Sequence, residues 1–244
     1  MDLEVSDITK ADLFYAAQFG WDIRQGGPEA GGYSIAHLQG RGVAGIGPKM
    51  GPPETPPAWT MYIAADDADS TAARITSAGG QLLLPPGDIA DVGRMALAAD
   101  ITGGVFGVWQ AGAHIGTGVA NVPGALTWNE HMSHDFEGAK AFYAAVFGYE
   151  FGDMSTEEFS YATLLLGGRE VGGIGGYPED VTAEVPAAWS TYFGTSDTDD
   201  AVARATAHGG FVIRPPAGTP YGRTATVTDD QGAVFSLISM PPGE

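Results

Sequence analysis

Apolar residues follow two periods along this chain, and the switch between them recurs. From Ile8 to Phe19 they fall at Ile8, Ala11, Phe14, Tyr15 and Phe19, close to helical spacing. Asp7 precedes the run as an N-cap whose carboxylate accepts the first free backbone N–H groups, and Gly20 sits where a C-terminal glycine belongs. On either side the pattern shortens to strands. "MDLEVS" leads in, and "WDIRQ", "YSIAHL" and "GVAGIG" follow, separated by glycine-rich turns. This predicts a β-α-β-β-β module, closed by the proline-rich connector "GPPETPP".

The same order returns at once. "WTMYIAA" is a strand, Asp66 and Asp67 cap the helix "DSTAARITSAGG", and "GQLLLPP", "GRMALAAD" and "GVFGVWQ" are strands. Modules three and four repeat the series from Leu126 to Met240. "AGAHIGTGVANVPG" (Ala111 to Gly124) is glycine-rich and aperiodic, which marks a linker.

The second half copies the first. "FYAAQFGW" (Phe14 to Trp21) and "FYAAVFGY" (Phe142 to Tyr149) lie 128 positions apart. "GRGVAGIG" matches "GREVGGIG", "PPAWTMYI" matches "PAAWSTYF", and "GRMALAADITGGVFGVW" matches "GRTATVTDDQGAVFSLI". A repeat of this length is a whole domain. The expected division is 1–110, a linker at 111–124, and 125–244. Phe14, Tyr15, Phe19 and their copies Phe142, Tyr143 and Phe147 are expected at buried helix–sheet contacts.

Charge and composition narrow the function. The 244 residues carry 30 acidic against 11 basic side chains, a net −19, which argues against a nucleic-acid backbone as partner, so no nucleic acid is expected. The balance permits a cationic ligand, although an acidic surface also serves solubility. With no Cys there is neither a disulfide nor a thiolate metal site. No apolar run approaches 18 residues, and "MDLEVSD" is no signal peptide, so no membrane partner and a cytoplasmic location are expected. The chain is expected to be a monomer or homodimer.

The "FY…FG" helix and the "GR…D…G..F" segment before the last strand, twice in the same order, resemble the vicinal oxygen chelate superfamily. That family includes glyoxalase I, bleomycin-resistance proteins and extradiol dioxygenases. A two-domain actinobacterial-type branch, called glyoxalase-like or candidate hydroxylase, is similar, and some of its members accompany aromatic polyketide antibiotic pathways. The resemblance implies an α+β fold of tandem βαβββ modules, four in all, forming two domains with curved mixed sheets and a site on each concave face. It also implies four metal ligands, His or Glu. The matching positions here are Trp128, Gly45, Gly173, Thr60, Ser190, Gly107 and Ser236, none of them a strong ligand. No metal and no cofactor are therefore expected.

Strand alternation assigns the concave face. It presents Asp2, Glu4 and Ser6; Trp128, Glu130 and Met132; Thr60 and Tyr62; Ser190 and Tyr192; and Val105, Gly107 and Trp109. Trp59 and Trp189 start strands near the rim. The expected ligand-binding residues are Asp2, Tyr62 and Trp109 in the first half, with Trp128, Glu130, Tyr192 and Ser236 in the second. Aromatic walls with a few polar groups suit a small aromatic ligand. Glu130 is the candidate catalytic residue, since a carboxylate in an apolar cup can transfer protons; it could equally pair with a ligand ammonium. The first half begins at Met1, one residue too late for a partner to Trp128. The ligand is therefore expected in a cup lined by Trp128, Glu130 and Tyr192. Modules of this fold also pair across halves, which would let the first domain complete the wall.

Two functions stay open. One is metal-independent binding of a bulky aromatic ligand, polyketide or cationic and antibiotic-like. The other is an enzyme or accessory protein of aromatic polyketide tailoring that uses a cup carboxylate. A metal-dependent lyase or dioxygenase is a third class that the ligand positions disfavour. His131, by alternation, faces away from Trp128 and Glu130; it and His37, His114, His134 and His208 are expected to be hydrogen-bonded or exposed. Arg94 and Arg223 are expected to anchor turns through salt bridges.

Overall fold

A computed structural model describes residues 1–27, 30–52 and 54–239. Pro53 of the first connector and Met240, the expected end of the fourth module, lie outside the described residues.

The four modules form as the periodicity predicts. The first comprises β1 (Asp2–Val5), α1 (Ile8–Phe19), β2 (Asp22–Gln25), β3 (Ser34–Leu38) and β4 (Arg41–Pro48). The second opens with β5 (Ala58–Thr60) and β6 (Tyr62–Ala64), followed by α2 (Ala68–Ser77), β7 (Gln81–Ile89), β8 (Gly93–Ala99) and β9 (Val105–Ala111). The third is β10 (Leu126–Ser133), α3 (Phe136–Phe147), β11 (Glu150–Asp153), β12 (Tyr161–Leu166) and β13 (Arg169–Gly176). The fourth is β14 (Ala188–Gly194), α4 (Thr198–Ala207), β15 (Val212–Thr219), β16 (Gly222–Thr228) and β17 (Val234–Ser239). Among the described residues no helix is long and apolar enough to cross a membrane.

Each helix starts on an aspartate. Asp7, Asp67, Asp135 and Asp197 accept from Lys10 N, Ser70 N, Gly138 N and Asp200 N, satisfying donors the helix itself leaves free. α1 and α3 end on Gly20 and Gly148, both left-handed at φ 69° and 72°. The buried stripe of α1 is Ala11, Phe14, Tyr15 and Gln18, and that of α3 is Ala139, Phe142, Tyr143 and Val146. Phe19 and Phe147, expected in that stripe, are only partly buried. The spacing i, i+3, i+4, i+7 from Ala11 reaches residue 18, so the next residue lies at its margin.

The chain forms two compact units, and neither is a sequential half. Unit 1 holds residues 1–60, 116–127 and those from Thr191 on; unit 2 holds 61–115 and 128–190. Unit 1 therefore joins modules one and four, and unit 2 joins modules two and three. The division at 111–124 expected from the repeat describes the sequence, whereas the units regroup its modules across it. The physical switch lies at Met61. Before it, β5 pairs antiparallel with β1; after it, β6 pairs parallel with β9.

Within unit 1, α1 is tied to module four. Asp7 N donates to Gln231 Oε1 at 2.9 Å and Gln231 Nε2 returns a bond to Asp7 O at 2.8 Å. Phe14 packs edge-on to Phe235, and Phe19 packs on Phe193. The expected linker is built in rather than free. Thr117 Oγ1 donates to Val43 O, Gly118 N to Gly42 O, and Trp21 Nε1 to Gly124 O. Within unit 2, α3 meets module two. Phe106 packs against Phe142, Tyr143 and Phe147, and Arg74 Nε donates to Val146 O at 2.9 Å.

The sheets are mixed. In unit 1 the strands run β2-β3-β4-β1-β5 and β14-β17-β16-β15, with β1 parallel to β4 and β14 parallel to β17. In unit 2 they run β11-β12-β13-β10 and β6-β9-β8-β7, with β10 parallel to β13. Leu3, Val5, Ile63, Phe106 and Val108 are buried towards the helices, as alternation requires. The opposite face of each sheet carries the candidate site.

Candidate functional site

The concave face of unit 2 is aromatic and apolar. On β10 the burial alternates from Glu130 to Ser133, with His131 and Ser133 buried and Glu130 and Met132 only partly so. Glu130 lies in register with Gly173. Trp128 Nε1 donates to Tyr161 Oη at 3.2 Å, and Tyr161 stacks on Phe159 at 5.6 Å. From module two come Tyr62, in register with Gly107, and Trp109, in register with Met95. Tyr62 and Trp109 meet edge to face with centroids 6.5 Å apart. Leu97 lies beside Gly107 in the same row.

Glycines at three of these rows are required by neighbouring rings. A β-carbon at Gly173 would collide with Tyr161 Oη and approach Trp128 Nε1 to 3.0 Å. One at Gly107 would collide with the Tyr62 ring, and one at Gly45 in unit 1 with Tyr33 Oη. The phenols thus fill the space into which a longer side chain at these positions would project.

The concave face of unit 1 uses polar residues at the matching positions. Asp2 lies in register with Gly45 and Thr60, and Tyr192 with Ser236. Ser236 lies beside Thr226, their hydroxyls 3.1 Å apart, and Thr224 lies beside Ile238. Relative to unit 2, Thr224 replaces Met95, Thr226 replaces Leu97, Ser236 replaces Gly107, Ile238 replaces Trp109 and Glu4 replaces Met132.

The sequence-predicted site residues are therefore regrouped. Trp128, Glu130, Tyr62 and Trp109 belong to unit 2, and Asp2, Tyr192 and Ser236 to unit 1. The expected trio of Trp128, Glu130 and Tyr192 does not share a unit, because module three pairs with module two and the unit boundary falls between Ser190 and Thr191. Trp59 and Trp189, expected at the rim, instead turn towards the helices, where their indole N–H groups find buried partners.

Neither concave face offers the family's four metal donors. An indole, glycines and hydroxyl groups stand at the matching positions where carboxylate or imidazole would be needed, and phenol rings cover three of the glycines. Among the described residues no three His, Asp or Glu side chains are grouped to hold an ion. These residues do not fit a divalent cation.

Behind each sheet lies a buried polar cluster that sequence reasoning missed. In unit 2, Trp189 Nε1 donates to Tyr143 Oη at 2.7 Å, and Tyr143 Oη donates to Asp100 Oδ2 at 2.8 Å. His131 Nε2 lies 2.8 Å from the same carboxylate oxygen, with both side chains inaccessible to solvent. Thr102 N, Thr102 Oγ1 and Gly104 N donate to Asp100 Oδ1. Burial pushes the Asp100 carboxyl up, but the bond and charge of His131, with Thr102 and Tyr143, outweigh it and bring the group down to about 2. Burial, then the Asp100 charge, pushes the Tyr143 phenol well above its ordinary value.

Unit 1 repeats the tryptophan–tyrosine–aspartate chain with a different surrounding. Trp59 Nε1 donates to Tyr15 Oη at 3.0 Å, and Tyr15 Oη to Asp229 Oδ2 at 3.2 Å. Gln231 N and Ala233 N donate to Asp229 Oδ1. Leu3 occupies the position of His131 and Gln231 that of Thr102; burial, the largest cause, with the Asp230 charge, raises the Asp229 carboxyl. The clue was available: Asp100 and Asp229, Tyr143 and Tyr15, and Trp189 and Trp59 are all repeat-matched. Other histidines bond backbone carbonyls and the two repeat-matched arginines form ion pairs. His134 Nε2 and His208 Nδ1 bond backbone carbonyls, Arg94 pairs with Asp69 and Asp88, and Arg223 pairs with Asp199.

Comparison with known proteins agrees with this geometry. The model of the glyoxalase/bleomycin resistance protein/dioxygenase superfamily matches residues 131–237. CFP32 of Mycobacterium tuberculosis, a candidate glyoxylase, is 41% identical over 99% of this chain and 94% of its own. Anthracycline biosynthesis protein DnrV of Streptomyces peucetius is 34% identical over 99% of this chain and 92% of its own. The crystal structure of the Mn(II)-bound glyoxalase from Novosphingobium aromaticivorans superposes with a TM-score of 0.65 at 16% identity, over 98% of this chain and 80% of that one.

Proposed function

Because the chain belongs to the glyoxalase/bleomycin resistance protein/dioxygenase superfamily, we propose that its unit 2 cup binds a planar aromatic small molecule without a metal ion. The observation that carries this is the contrast between the two concave faces. Where unit 1 has Thr224, Thr226 and Ile238, unit 2 has Met95, Leu97 and Trp109. Large aromatic walls with one carboxylate suit a ligand that stacks and presents a single hydroxyl, carbonyl or ammonium. The similarity to an anthracycline biosynthesis protein supports an aromatic polyketide, and so a role linked to polyketide tailoring.

Two outcomes of binding are compatible with the cup. Stoichiometric burial needs only the aromatic walls. Turnover needs a proton-transfer group, and the partly buried Glu130 beside Gly173 is placed for it. Titration of the tryptophan fluorescence with 1,4-dihydroxyanthraquinone, followed by product analysis, separates the two. Saturable quenching without product supports sequestration. Product that disappears in Glu130→Gln, with quenching retained, supports catalysis. No saturable quenching, or quenching that requires an added divalent ion, overturns the proposal.

A further inference from the structure

The stretch Gly116–Thr127, which leads into β10, is seated along unit 1 as part of it. Val119 and Ala125 are buried in the core of unit 1, and Val122 packs against that core. Trp21 Nε1 donates to Gly124 O at 2.6 Å, and Thr117 Oγ1 donates to Val43 O. Gly124 N donates to Gly194 O and Gly194 N to Ala125 O, so the stretch is bonded like a strand to the edge of β14. Beneath it Trp21 and Val43 are 4% and 2% exposed.

The matching seam of unit 2 is open. Tyr149 holds the position of Trp21, Val171 that of Val43, and Ala64 that of Gly194. A cavity of about 140 Å³ lies there, and Met61, Ile63, Asn129, Tyr149, Leu164 and Val171 are among the residues that line it. Ile63 and Asn129 alternate with Tyr62 and Glu130, so the cavity is not the cup. Val171 is 45% exposed, and Ala64 is exposed where Gly194 is buried. β6 ends its sheet, with β9 on one side and no strand paired on the other among the described residues. The Tyr149 hydroxyl makes no hydrogen bond among the described residues, and burial pushes the phenol up, which keeps it a neutral donor.

Donor, strand edge and apolar cavity therefore stand together where unit 1 uses each of them to hold peptide. An unpaired edge beside an apolar cavity suits strand addition, in which main-chain bonds hold the peptide and alternate side chains enter pockets. A cavity of roughly 150 Å³ holds a benzene-sized group, which is room for one branched aliphatic side chain. The seated stretch of unit 1 states the chemistry: "VANVPGA" is uncharged and built of small and aliphatic residues. The net charge of −19 disfavours an acidic peptide. A second copy is a poor donor, because its own Gly116–Thr127 is engaged in its unit 1 and both copies carry the same charge.

We propose that the seam of unit 2 takes up an extended, uncharged peptide from a different protein. The peptide adds as a strand along β6, sets a valine-sized side chain in the cavity and accepts a hydrogen bond from Tyr149 Oη on a backbone carbonyl. The probe is the synthetic peptide TGVANVPGALT, the sequence of residues 117–127, titrated calorimetrically into the full chain. Saturable one-to-one binding is expected. The same peptide carrying Val122→Asp should bind about tenfold or more weakly, since its carboxylate would enter an apolar cavity. Tyr149→Phe in the protein should weaken binding about fivefold, as loss of one hydrogen bond would bring. In the unaltered protein the backbone amide signals of Ala64 and Val171 should shift on binding, a readout that does not depend on any variant folding. The amide of Gly194 should stay in place, because only displacement of the resident stretch of unit 1 would move it. Four results overturn the inference: no saturable binding, equal binding of the Val122→Asp peptide, a shift at Gly194 with Ala64 unmoved, or self-association of the chain that the peptide competes away, which would make a second copy the occupant.

Discussion

In unit 2 the buried carboxylate of Asp100 faces an imidazole; in unit 1 the carboxylate of Asp229 is equally buried, and the residue matching that histidine is Leu3. Both accept a tyrosine hydroxyl that is itself held by a tryptophan N–H, and both gather backbone donors from the following turn. Three positions separate them: His131 is Leu3, Gly104 is Ala233, and Thr102, whose hydroxyl donates to Asp100 Oδ1, is Gln231, whose backbone alone donates to Asp229. A β-carbon at Gly104 would lie 2.7 Å from His131 Nε2, whereas the matching residue beside Leu3 is the fully buried Ala233. The electrostatic consequence is opposite in sign: Asp100 is held down at about 2 and Asp229 is raised. The same backbone therefore supports a buried acid in two regimes, and the residues that differ are 131, 104 and 102.

The largest way to break this contrast is His131→Ala. It leaves Asp100 buried without its imidazole and opens a cavity, and stripping one partner from such a pair costs roughly 3–5 kcal/mol. Urea denaturation of the full chain would measure it, with unit 2 melting before unit 1 as a separate transition. A loss below about 1 kcal/mol would show that His131 is only a spacer.

The next test converts one regime into the other. His131→Leu with Gly104→Ala gives unit 2 the pair that unit 1 already uses. Volume is restored and Asp100 keeps its donors from Thr102, residue 104 and Tyr143. At least about 2 kcal/mol of the His131→Ala loss should return. The pH dependence should also reverse. In the native protein Asp100 lies below its ordinary 3.8, at about 2. That shift contributes about 2 kcal/mol, complete above 3.8 and lost as the pH falls towards 2. Asp229 lies above 3.8, so its contribution to unit 1 is complete at low pH and is lost as the pH rises through its folded value. In the double variant Asp100 should join Asp229 above 3.8, as a carboxyl-detected NMR titration would show. An Asp100 that stayed near 2 would assign its depression to Thr102 and Tyr143 instead.

How much of this was legible in the sequence differs by level. The modules were, because Asp caps, glycine ends and period-two strands are local signals, and "FYAAQFGW" repeats them in register. The assembly of the units was not. "WTMYIAA" reads as one alternating strand, and nothing in its period shows that pairing changes partner at Met61. The switch at Met61 puts Tyr62 and Trp109 in the unit of Glu130, and the matching boundary between Ser190 and Thr191 takes Tyr192 out of it. His131 was correctly turned from the concave face by alternation, yet its partner Asp100 lies 31 residues earlier in another module. Only alignment of the two halves, with Asp, Tyr and Trp kept and His exchanged for Leu, could have flagged it.

The smallest stability effect, and the sharpest on binding, comes from the concave faces. Trp109→Ile gives the unit 2 cup the residue that unit 1 carries at Ile238. Trp109 is half-buried, and its N–H bonds only the His114 carbonyl at 3.0 Å, so the fold should lose little, about 1 kcal/mol or less. A ligand stacking in this cup loses one aromatic wall, a contact worth roughly 0.5–1.5 kcal/mol beyond its area. Affinity for 1,4-dihydroxyanthraquinone should then fall by up to about tenfold, from that term alone. The converse change, Ile238→Trp in unit 1, should not create a matching site, because Thr224 and Thr226 keep their hydroxyls beneath it. If Trp109→Ile left quenching by the probe unchanged while Ile238→Trp strengthened it, the ligand would belong to unit 1, and the contrast between the two faces would have been assigned the wrong way round.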